Sequence, residues 1–151
     1  MSKIKANFKD RQTAEILESV YRNACLSYKA TVDVLRHCRN NELYGELAKE
    51  QDRYKQVASR ARHELAKLDV AAYEAPVHIR SMVKTGIALK TAANSDTGSL
   101  AEIMYKGTNN GIIDMQRTLN RSRSAEGNIR ASAEKLLERE QEFADNLRRF
   151  L

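Results

Sequence analysis

SLAEIMYKGTNNGIIDMQRTLNR, residues 99–121, reads in two ways, and the choice between them decides the fold. Local propensity sees a turn at Gly107-Thr-Asn-Asn-Gly111, because Asn-Gly is a strong turn dipeptide. Periodicity sees a helix: Leu100, Ile103, Gly107, Gly111, Met115 and Thr118 keep steps of three and four straight through the glycines. Ser99 with Glu102 three residues on makes a capping box ahead of Ile103 and Met104, which is a start signal. A helix over 99–121 would also match its neighbours in length to within about one turn. We therefore expect an unbroken helix, with Gly107 and Gly111 as a small-residue packing face on which another helix can approach closely.

The neighbours are plainer. Ile16, Val20, Ala24, Ser27, Thr31, Val34 and Cys38 form one helical stripe, predicting a helix over 12–39 that Asn40-Asn41 stops. Leu43, Leu47, Glu50, Tyr54, Val57, Ala61 and Leu65 or Leu68 predict a second over 42–68. Ile129, Ala133, Leu136, Glu140, Phe143, Leu147 and Phe150 predict a last one over 125–150, with Ser124 as its N-cap. Each is about 40 Å long. Short turns near 41 and 122–124 imply two antiparallel hairpins.

What joins the hairpins is different in kind. Residues 76–97 begin at the only proline, Pro76, and continue as VHIRSMVKTGIALKTAANSDT. No acid occurs from Ala75 to Ser95, while Arg80, Lys84 and Lys90 give positive charge. Val77, Met82, Val83, Ile87 and Ala88 make a ragged apolar face, so a short amphipathic helix is expected within 77–93.

Composition agrees with an all-α chain. Its 151 residues suit one domain, and 42% apolar residues supply a core. A single proline, no tryptophan and a 30% charged fraction fit helices better than sheets. No apolar run suggests a signal peptide or a membrane span. Cys25 and Cys38 fall on one predicted helix about 20 Å apart, beyond the roughly 7 Å a disulfide spans. They read as packing residues of a reducing, cytoplasmic protein.

The net charge of +6 invites a nucleic-acid reading. Its distribution weakens it. Residues 1–40 hold eight cations against four acids, including a flexible basic tail over 1–11 with Lys3, Lys5, Lys9 and Arg11. Elsewhere acids alternate with bases, as on a solvated helix surface. The six tyrosines are spread over the whole chain and read as packing residues. Specific nucleic-acid binding is not expected. The basic, acid-free connector leaves peripheral membrane contact as a rival to simple packing.

Two carboxylates stand on otherwise apolar seams: Glu50 between Leu47 and Tyr54, and Glu140 between Leu136 and Phe143. Buried carboxylates need partners. A di-metal bundle site would take a Glu from two helices and Glu-x-x-His from two others. Here Arg53 stands three residues after Glu50 and Phe143 after Glu140, and none of His37, His63 and His78 has a Glu three residues before it. Without a metal, the two glutamates should show raised pKa values or an arginine partner, with Arg53 or Tyr54 in reach. No phosphate loop or nucleophile pattern is present, so no catalytic residue is assigned.

The order of helices, the connector, and the strings SMVKTGIALKT, SLAEIMYKGTNNGIIDM and LEREQEFADNLRRFL resemble an uncharacterised bacterial branch of the ferritin-like superfamily. The resemblance implies an antiparallel four-helix bundle, with a long connector carrying a short helix between helices 2 and 3. It also implies self-association, at least as a homodimer. Of the superfamily's iron ligands it carries over only Glu50 and Glu140, the first-helix position falling near Asn23 or Ser27. The functional expectation is a non-enzymatic bundle, structural or protein-interacting, without a cofactor. The alternative is an iron-handling or oxidase site made of carboxylates alone, using Glu50 and Glu140 with Glu102 or Asp114 as candidate additions.

Overall fold

A computed structural model describes residues 7–151. Among them lie five α-helices, α1 Phe8–Leu35, α2 Asn41–Lys67, α3 Val77–Ala93, α4 Thr97–Arg121 and α5 Gly127–Leu147, with a closing 3-10 turn at Arg148–Phe150 and no strand. The chain is all-α. Residues 99–121 are helical throughout, so the steps of three and four prevail over the Asn-Gly propensity.

Three apolar clusters fix how the helices run. One joins Val34 of α1, Leu43 and Leu47 of α2, Ile87 of α3, Leu100 and Met104 of α4, and Phe143 and Leu147 of α5. A second, at the other end, joins Ile16 with Met115, Leu119, Ala133 and Leu137. A third packs Ala14 and Leu17 against Leu65. The C-terminal halves of α1 and α5 thus meet the N-terminal halves of α2 and α4, so α1 and α5 run one way and α2 and α4 the other. Leu43, Leu47, Leu65, Leu100 and Leu147 are fully buried, and burying each such side chain contributes about 1.5–3 kcal/mol. No helix among the described residues is long and apolar enough to cross a membrane.

The helix ends differ from expectation in instructive ways. Helix α1 covers 8–35, not 12–39. Asn7 caps it by accepting from the Asp10 amide at 2.7 Å, which draws Lys9 and Arg11 out of the expected tail and into the first turn. Lys3 and Lys5 lie outside the described residues. At the other end Asn40 does not stop α1; it accepts from the Leu43 amide at 2.9 Å and starts α2. Helix α1 therefore ends four residues early, and Cys38 sits in the connection rather than on the helix with Cys25.

Helix α4 is capped by Asp96, which accepts from the Ser99 amide at 2.7 Å, so the box of Ser99 with Glu102 is not used. Glu102 pairs instead with Lys106 one turn on, at 2.6 Å. Ser124 is not the cap of α5 either. Its amide donates to Gln12 Oε1 at 2.6 Å and the Glu126 amide to Thr13 Oγ1 at 2.8 Å, so the turn is stitched to α1 and the helix starts at Gly127. Arg130 closes the same corner by donating to the Leu119 and Ser122 carbonyls at 2.9 Å each. Helix α2 ends differently. The Val70 amide returns to Leu65 O and the Asp69 amide to Ala66 O, with Asp69 at φ 56°, a paired closure that usually employs glycine.

Helix α3 fills all of 77–93 but is lightly anchored. Only Ile87 and Thr91 are buried, while Val77, Met82 and Leu89 are 66–68% exposed.

Candidate functional site

The two seam glutamates meet. Glu50 and Tyr54 lie one turn apart on α2, Glu140 faces them from α5, and Arg53 reaches between the carboxylates. Its Nε donates to Glu50 Oε2 at 2.7 Å, and its Nη2 donates to Glu50 Oε2 and to Glu140 Oε1. The Tyr54 hydroxyl donates to the other oxygen, Glu140 Oε2, at 3.0 Å. The Arg53 guanidinium also lies 5.1 Å from the Tyr54 ring centroid, within reach of a cation–π contact. The helical repeat brings this about: 50, 53 and 54 are neighbours on one α2 face, and Leu47 and Phe143 of the same seam hold α2 and α5 in register.

The group is buried and unequally balanced. Glu140 is 6% exposed and Tyr54 3%. Burial raises the Glu140 pKa, an effect that the Arg53 charge and hydrogen bond oppose without cancelling. Burial also lifts the Tyr54 hydroxyl well above its ordinary range, and the two carboxylates add to the effect. Burial alone would depress Arg53, but hydrogen bonding and attraction to Glu50 and Glu140 outweigh it and keep the guanidinium charged. Arg53 Nη1 is buried without a partner among the described residues.

The other carboxylates considered as ligands lie elsewhere. Glu102 is on the α4 surface with Lys106. Asp114 belongs to a separate polar cluster between α4 and α1, where Oδ2 accepts from Ser19 Oγ at 3.0 Å and from Asn23 Nδ2 at 2.7 Å. Asn23, expected at a first-helix ligand position, thus serves Asp114 and not Glu50 or Glu140. The histidines are all exposed. Among the described residues no three His, Cys, Asp or Glu groups converge as metal ligands.

The glycines behave unequally. A Cβ on Gly111 would meet the Asn23 side chain at 3.5 Å, an ordinary contact. One on Gly107 would meet nothing within 4 Å, because Met104 and Thr108, not Gly107, turn inward. Gly107 therefore packs against no other helix among the described residues. Sequence reasoning found Glu50, Glu140, Arg53 and Tyr54, but it missed the role of Ser19, whose burial only the α1–α4 register reveals.

No protein-family model, curated protein or solved structure matches this chain.

Proposed function

We propose that the protein is a non-enzymatic ferritin-like helical bundle, a structural or protein-interaction protein in which an arginine supplies the cation that a di-metal centre would otherwise provide. Two antiparallel hairpins, α1–α2 and α4–α5, joined by a connector that carries the chain back along α1, support the bundle reading. That is the topology of a four-helix bundle with one long crossover. The observation that carries the functional part is Arg53 bridging Glu50 and Glu140.

The residues do not fit a di-metal site. Such a site needs about six ligands around two cations, with imidazoles fixing its geometry. Here Glu50 Oε2 and both Glu140 oxygens are engaged by a permanent cation and a phenol. The orphaned Arg53 Nη1 calls for an acceptor rather than a second positive charge. The sequence Glu50-Gln51-Asp52-Arg53 has an arginine where Glu-x-x-His would have an imidazole. A charge-bridging arginine locks two helices together and offers no open coordination position.

Aerobic iron loading followed by elemental analysis tests the reading. The expected result is no tightly held iron. About two metals per chain, lost on Glu50→Ala or Glu140→Ala, would overturn it. Self-association, at least as a homodimer, belongs to the same reading. The open space at Gly107 and the exposed Ile113 on the same helix offer α4 surface to a second copy. Half-buried Cys25 and Cys38, with thiols raised by burial, suit a reducing cytoplasm.

A further inference from the structure

Between the second half of α1 and the first two turns of α3 lies a groove of about 490 Å³, within the roughly 300–1,000 Å³ range of small-molecule sites. Its apolar lining comes from Leu26 and Ala30 on one side and from Val77 and Val83 on the other. Around these stand four cations, Lys29, Arg36, Arg80 and Lys84, against a single lining carboxylate, Asp33. Asp33 lies 3.7 Å from Arg36, and Glu74 nearby takes both Lys29 and Arg80 at 2.9 Å. Lys84 has no carboxylate within 4 Å among the described residues, and its own helix carries no acid.

We propose that this groove binds an anionic amphiphile: a single aliphatic chain laid along the valine–leucine lining, with a carboxylate or phosphate head on Lys84 and the neighbouring arginines. The distribution of charge distinguishes this from docking on a lipid surface. Met82 and Leu89, each 68% exposed, are not among the groove residues, whereas Arg80 and Lys84 are. A helix lying on an anionic membrane carries its Lys and Arg on an open polar face, where they attract the lipid headgroups. Here two of the three cations of α3 line the groove, with the valines. None of Glu50, Arg53, Tyr54 and Glu140 lines this groove, so its fate is independent of the bundle reading above.

The test uses the whole chain and dansyl-undecanoate as a fluorescent probe. One probe per chain should bind below its micelle concentration and be displaced by oleate. Lys84→Glu should weaken binding roughly tenfold, the scale of reversing one charge near an anion. Val77→Trp, at an exposed position that tolerates bulk, should fill the groove and abolish binding with an unchanged melting temperature. Oleyl alcohol displacing the probe as well as oleate does would overturn the proposal. So would flotation with phosphatidylglycerol vesicles without binding of the monomeric probe, which would place the ligand in a membrane instead.

Discussion

Between α2 and α5 a buried carboxylate is held by a cation; between α4 and α1 a half-buried one is held by neutral donors. Glu140 has Arg53 and the Tyr54 hydroxyl, while Asp114 has the Ser19 hydroxyl and the Asn23 amide. The first assembly is strong but dependent, since removing one charge strands the others in a low dielectric. The second is modest and divisible, because each donor contributes on the scale of one hydrogen bond to a charged group. The difference shows where specificity resides. A guanidinium shared by two carboxylates fixes the register of α2 against α5, whereas amide and hydroxyl donors tolerate adjustment.

The largest expected effect is that of Arg53→Met. It leaves Glu50 and Glu140 facing each other without a counter-charge and should cost about 3–5 kcal/mol in urea unfolding at pH 7. The loss should be smaller in acid. Glu140 has a raised pKa in the folded protein, so its contribution is fully present below the unfolded glutamate pKa and is lost as pH rises through the folded value. Removing Arg53 deletes the main opposing cause and widens that window upward. An Arg53→Met penalty that is flat with pH would break the contrast between the two assemblies.

Asp114→Ala should cost less, about 1–3 kcal/mol, by leaving the Ser19 and Asn23 donors underused. Asn23 keeps its 2.9 Å bond to the Ser19 carbonyl, which limits the damage. An effect equal to that of Arg53→Met would erase the distinction. Tyr54→Phe should be smallest, about 1 kcal/mol, since Arg53 still holds Glu140. It should also raise the Glu140 pKa further by deleting a bond that lowers it, measurable by NMR titration of the carboxyl carbon.

Much of this was legible in the residues. Glu50 and Glu140 stood out because a carboxylate interrupting Leu47–Tyr54 or Leu136–Phe143 demands a partner, and Arg53 was three positions away on the same face. Helix bodies were legible because burial imposes their period. Helix ends were not: Asn40, Asp96 and Ser124 are interchangeable as local cap formers, and contacts such as that of Ser124 with Gln12 decide among them. The Asp114 cluster joins residues 91 and 95 positions apart. Nothing in a helical repeat encodes which turn of α1 lies beside which turn of α4. The groove was hidden for the same reason, since Lys84 and Arg36 become neighbours only through the placement of α3.

The light anchoring of α3 has a kinetic consequence. A helix secured by Ile87 and Thr91 can open at far less free energy than α1, which buries nine residues along its length. Backbone amides of 77–93 should then exchange with solvent through local opening, while those of α1 and α2 wait for global unfolding. The molecule would behave as two cooperative units of unequal lifetime, a durable frame and a strap that comes loose many times before the frame does.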